Sequence, residues 1–231
     1  RAALATLVAS LPEVTSVSVL ASPDQVVDGV PGAHDSCVNV DAMLPPASLG
    51  DVGARPRLLD ALAAVEIAAG TPTHDADLVA VEATVASTPD SDRQVLSLTD
   101  GPPTLTLGCE PGARGGIGYE LPVVDEIEDT RLAFDVPTFV VGIPAAAGEE
   151  GTGAPDDRWW LSQAAEVGGT SRGDCSHMAA SHCQLDTTMT SDFAGALAAA
   201  LATVAADLGS CQCSILPPPA GQQIDPSALN G

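Results

Sequence analysis

The sequence contains no lysine: its eight basic residues are all arginine, set against 31 acidic residues for a formal net charge of −23. A surface of that sign repels phosphate backbones and anionic headgroups, which excludes nucleic acid and a charged membrane surface as partners recruited by charge. It favours cations, suits a salty or calcium-containing medium, and also serves plain solubility. No apolar run approaches the ~20 residues of a membrane-spanning helix. The longest, around Ala194–Ala206, is alanine-rich and helical in pattern. The glycine run at 112–118 (GARGGIG) lacks both a Walker lysine and the G-x-G-x-x-G spacing, so it reads as a loop and not a phosphate cradle. No G-x-S-x-G or comparable setting supports a catalytic nucleophile, and the chain is not expected to be an enzyme. None of the six cysteines forms a C-x-x-C pair. That argues against a zinc framework and for disulfides, hence for an oxidising, secreted or cell-envelope location. The pairing of Cys37, Cys109, Cys175, Cys183, Cys211 and Cys213 stays open, except that Cys211 and Cys213 are too close to pair easily with each other.

What is present reads as alternating strands and helices. Val14–Leu20 is β-branched and bounded by Pro12 and Pro23, which predicts a strand. Cys37–Leu44 alternates as an edge strand, ended by Pro45-Pro46. Arg57–Ala69 spaces Leu58, Leu59, Leu62, Val65 and Ile67 as an amphipathic helix, closed by Gly70. A second helix, Asp75–Ala86, carries Leu78, Val79, Val81 and Val85 as its inner face. Arg93–Thr99 and Thr138–Ile143 are buried strands, and 123–132, with its several acids, reads as a short solvent-facing helix. Arg158–Val167 is a helix ended by Gly168-Gly169, with Trp159 and Trp160 at its start packing one ring inward. Residues 169–190 are polar and poor in strand formers, and Ser191–Leu208 is an alanine-rich helix with Phe193, Leu197, Leu201 and Val204 on one face. Near-continuous apolar strands between helices define an α/β sandwich with a largely parallel central sheet.

Two segments carry chemistry. GTPT at 70–73 sets the hydroxyls of Thr71 and Thr73 just ahead of a helix, and RQVLSLTDG at 93–101 ends a strand on Asp100. Open α/β sheets bind ligands at the carboxyl ends of their strands, and hydroxyl and carboxylate oxygens gathered there suit a hard cation. GTPT, then TDG, then TFVVGI with a following helix that closes on Gly-Gly, resemble in order and approximate spacing the von Willebrand factor A domain family. The resemblance implies a Rossmann-like sandwich over residues 1–209, with 210–231 as a C-terminal strand or arm extension. It implies a protein-binding module of adhesion type, and Thr71 and Asp100 as metal ligands. The metal would be Mg²⁺, or Ca²⁺ or Mn²⁺, its shell completed by an acidic group of a protein partner. Thr73 and His74 would lie just behind the ligands. The family's remaining metal segment, D-x-S-x-S on a first strand, is absent from these residues. The resemblance therefore implies a chain cropped from a longer one, with that first strand missing. Arg1–Leu11, reading as the back half of a helix, and the open ending DPSALNG lead to the same expectation.

Other features have plainer readings. Asp186–Thr190 fits D-x-T-x-T but stands before the last helix, where it serves as an N-cap. Arg172-Gly173-Asp174 is a tripeptide some adhesion receptors recognise and also a common chance match; His34 is an isolated loop residue. His177 and His182 flank Cys175 and Cys183 in CSHMAASHC, a spacing that fits a zinc metalloenzyme or, more simply, disulfide cysteines beside exposed histidines. A structural surface module with a degenerate metal site is the remaining alternative. If the cysteines are all oxidised, thiol titration of the unreduced, denatured protein detects no free thiol; two or more reactive thiols would contradict the oxidising-compartment assignment.

Overall fold

In the computed structural model, the described residues are 2–21, 38, 43–65, 71–87, 93–103, 120–143, 158–177, 181–188 and 190–209. They form a mixed α/β arrangement whose centre is the strand β4 (Thr138–Gly142). All five of its residues are buried, as expected of a parallel strand covered on both faces. β3 (Val95–Thr99) and β5 (Leu185–Asp186) pair with it in parallel on either side, giving the order β3-β4-β5. Successive residues of β4 feed opposite cores. Val140 packs with Val123, Val124 and Ile127 of α4 (Glu120–Phe134) and Trp160, Leu161, Ala164 and Ala165 of α5 (Arg158–Val167). Val141 packs with Leu197 and Leu201 of α6 (Phe193–Gly209), and Leu4 and Leu7 of α1 (Ala2–Ser10) join them.

A separate two-stranded antiparallel sheet pairs β1 (Ser16–Val19) with β2 (Leu44–Ser48), with an irregularity between Val17 and Val19. It packs with α1 and with α2 (Ala54–Ala64) through Val8, Leu11, Leu49 and Leu58. The Arg55 guanidinium secures this corner by donating to the carbonyls of Val8 and of Leu11, the latter at 2.6 Å. α3 (Thr73–Ser87) packs against β3 and α4.

Several boundaries differ from the sequence reading, each for a physical reason. β2 contains Pro45 and Pro46 where the sequence suggested they end a strand. As an edge strand it tolerates missing amide donors, while residues 37 and 39–42 lie outside the described residues. α2 begins at Ala54 and its C-cap is Val65; residues 66–70, including the predicted Gly70 stop, are outside the described residues. α4 is longer than the short solvent-facing helix expected at 123–132. Asp125, Glu128 and Asp129 do face solvent, but Val123, Val124 and Ile127 make it a core helix, and Glu120 is buried at its start. The 169–190 stretch does supply a last strand, the two-residue β5. α6 is capped by Asp192, whose Oδ1 accepts the Gly195 amide at 3.0 Å. Asp186 instead accepts from the amide and hydroxyl of Thr188. At the end of α5, Gly169 adopts φ 75°, a left-handed helix stop that favours glycine. The proposed arm at 210–231 lies outside the described residues, as do His34, Cys37, Cys109, Cys211 and Cys213.

Leu161 is fully buried in the α4–α5 core. Leu161→Ala should therefore cost about 2–5 kcal/mol, read as a lower denaturation midpoint with an unchanged slope in urea titration.

Candidate functional site

The geometry of the candidate site follows from how α3 lies on β3. Side chains of β3 alternate, so Val95, Ser97 and Thr99 share one face. Near the start of the strand, Val95 packs with Val81, Val85 and Val136. Two residues on, the Ser97 hydroxyl donates a hydrogen bond to the Asp77 carboxyl. Later helix residues thus meet earlier strand residues, and α3 runs antiparallel to β3. From Asp77 to Thr73 is about 6 Å along the helix axis, and from Ser97 to Thr99 about 6.6 Å along the strand. The N-terminus of α3 and the carboxyl end of β3 consequently lie at the same end of the layer.

Thr71 precedes the first turn of α3 and is half-buried. The carbonyl of the fully buried Pro72 accepts the Ala76 amide at 3.0 Å, making Pro72 the helix cap. Asp75 in the first turn complements the helix dipole. On the strand side, the buried Thr99 hydroxyl donates to the Gly101 carbonyl at 3.0 Å and accepts the Gly101 amide at 3.4 Å. These two bonds close the turn and leave Asp100 exposed at its crest. Of the two residues expected behind the ligands, Thr73 turns inward, 6% exposed. The Nε2 of His74 lies 3.9 Å from Glu126 Oε2 on α4.

The donors at this rim are hard oxygens, right in kind for Mg²⁺, Ca²⁺ or Mn²⁺. They fall short in number, because among the described residues no three His, Cys, Asp or Glu side chains converge to hold a metal ion.

The residue that sequence reasoning missed is Asp77. The inner face of α3 is Thr73, Asp77 and Val81, spaced by four, while Leu78 and Val79 are only half-buried. Val81 and Val85 of the expected apolar face do pack inward, but nearer the helix start Thr73, Asp75 and Asp77 are buried where Leu78 and Val79 were expected to be. Burial pushes the Asp77 carboxyl up from 3.8 to about 7; the Ser97 hydrogen bond opposes the rise and the Glu126 charge adds to it. A polar Ser97 between Leu96 and Leu98 was the available signal.

Cys175 and Cys183 of the CSHMAASHC segment form a disulfide, with Cα atoms 5.0 Å apart. Their sulfurs are bonded to each other and are not zinc ligands. His177 Nδ1 is 2.8 Å from Glu166 Oε2. Arg172 donates to the His182 carbonyl at 3.0 Å, and the Cys175 amide bonds back to the Arg172 carbonyl across a turn that includes Gly173 and Asp174.

No protein-family model matches the sequence, and no curated protein matches it. The fold is similar to crystal structures of the pilus adhesin SpaC from Lactobacillus rhamnosus GG. The open conformation superposes with a TM-score of 0.58 at 14% identity, covering 90% of this chain. Another crystal form gives 0.60 at 15% identity, also covering 90%. This chain spans 27–28% of the length of SpaC. At such identity the likeness concerns the fold.

Asp77 also sets a pH dependence. Its carboxyl binds a proton more tightly folded than unfolded, so its contribution to stability is complete below pH 3.8 and is lost as pH rises to about 7. Asp77→Asn should remove that loss. The variant's stability relative to wild type should rise from pH 4 to pH 8, by at most on the order of 4 kcal/mol, measured by urea denaturation at each pH. A pH-independent difference would contradict the assignment.

Proposed function

We propose that this chain is a von Willebrand A-like binding module of adhesion type, secreted or exposed on a cell envelope, and not an enzyme. In this reading Thr71 and Asp100 hold a divalent cation, Mg²⁺ or else Ca²⁺ or Mn²⁺, at the carboxyl edge of the sheet. An acidic group of a protein partner completes its coordination. The shared end of the α3 N-terminus and the β3 carboxyl terminus carries the proposal, since it offers a hydroxyl and an exposed carboxylate at one rim. The fold likeness to a pilus adhesin supports the adhesion reading. The Cys175–Cys183 disulfide supports an oxidising compartment. Among the described residues no helix is long and apolar enough to cross a membrane.

The roles divide between the residues present. Asp100 offers charge, Thr71 a neutral oxygen, and the Thr99–Gly101 bonds hold the carboxylate outward. A bound divalent cation would supply the positive centre that an acidic partner group recognises. Because the described residues bring few ligands, further oxygens must come from elsewhere in the protein or from water.

Asp100→Ala should weaken Mn²⁺ binding tenfold or more, followed by the electron paramagnetic resonance signal of the free ion, with an unchanged circular dichroism spectrum. Equal affinity in the variant would remove the metal reading and leave a structural surface module with a degenerate site.

A further inference from the structure

Beneath the rim, α3 presents a second set of oxygens to the interior. Thr73 and Asp77 are four residues apart and therefore neighbours on one helical face. Each is only 6% exposed, and neither Thr73 Oγ1 nor Asp77 Oδ2 has a hydrogen-bond partner. Buried polar atoms are ordinarily paired, so two orphans on adjacent turns call for a ligand. The Ser97 hydroxyl reaches Asp77 from β3, and the Glu126 charge acts on Asp77 from α4. Glu126 accepts the Thr130 hydroxyl at 3.4 Å through Oε1 and lies 3.9 Å from His74 through Oε2. The other acidic groups on these segments are the buried Asp75 and Glu120 and the exposed Glu82, Asp100, Asp125, Glu128 and Asp129. Arg93 and Arg131 donate to the carbonyls of Phe134 and Val167. The cluster thus holds two carboxylates and two hydroxyls, and the buried carboxyl among them, Asp77, calls for a proton or a cation beside it.

We propose that Thr73 and Asp77, with Ser97 and Glu126 alongside, form a buried site for a hard cation between α3, β3 and α4, distinct from the Thr71–Asp100 rim. An oxygen-only donor set of this kind selects Mg²⁺, Ca²⁺ or Mn²⁺ over zinc, and the acidic surface raises the local cation concentration. Binding replaces a proton: the Asp77 carboxylic acid gives up its hydrogen to solvent, and the freed carboxylate oxygen coordinates the ion. The proton and the cation compete for the same carboxyl oxygen, so occupancy rises as pH rises. The site shares no ligand with the rim and does not depend on it.

The test uses Mn²⁺ alone, with bound equivalents counted by electron paramagnetic resonance at pH 5.5 and pH 8 in wild type, Asp77→Asn, Thr73→Val and Asp100→Ala. Circular dichroism verifies that each variant is folded. At pH 8 wild type should bind one equivalent more than Asp77→Asn, Thr73→Val should hold that equivalent at least tenfold more weakly, and Asp100→Ala should retain it. At pH 5.5 wild type should lose it. If Asp77→Asn and Thr73→Val bind as wild type does at pH 8, or if Asp100→Ala alone abolishes all binding, the buried site does not exist. Retention of one Asp77-dependent equivalent in Asp100→Ala while the rim shows none would keep this site and discard the rim.

Discussion

The direction in which α3 crosses β3 organises this end of the molecule, and the buried Asp77 facing Ser97 marks it. Together with the Val81–Val85–Val95 packing, that contact shows which way the helix runs. Direction decides everything at the rim. Were α3 to lie the other way, Thr71 would be at the amino end of the strand, a sheet's length from Asp100. Because a strand advances about 3.3 Å per residue and a helix about 1.5 Å, one polar contact in the middle of each element suffices to bring their ends level.

The same contact has a cost that explains the chemistry beneath the rim. A hydroxyl donor alone does not compensate a buried carboxylate, so Asp77 keeps its proton to unusually high pH and leaves one oxygen unpartnered. Above it, the Thr99–Gly101 bonds turn Asp100 outward into water. Two acids near one end of a sheet thus have opposite environments, one dry and one wet, set by the alternation of β3 and the turn that ends it. The surplus of acid over base in the whole chain gives both a surrounding potential that draws cations.

Much of this was legible in the residues. β4 and α5 were readable because their patterns are clear: TFVVG has no polar position after its leading threonine, and RWWLSQAAEV closes on two glycines. Disulfide bonding was expected from the absence of C-x-x-C pairs, but the Cys175–Cys183 pairing was not readable from the spacing. What escaped were features in which tertiary context overrides pattern. β2 runs through two prolines because its edge position excuses their missing amides. β5 is too short to leave a periodic signature. On α3, the apolar Leu78 and Val79 outweighed Asp77 in the periodicity, although the buried residues are Thr73, Asp75, Asp77 and Val81. An aspartate on an inner face contradicts the usual partition of charge. It becomes intelligible only once Ser97 is seen opposite.

The central claim is that a hydroxyl and a carboxylate, remote in sequence, share one rim and receive a divalent ion there. Anomalous diffraction from crystals grown with Mn²⁺ addresses it directly. The account predicts a manganese peak in coordination range of both Thr71 Oγ1 and Asp100. Manganese found only at unrelated surface acids, or Thr71 and Asp100 at opposite ends of the sheet, would contradict it.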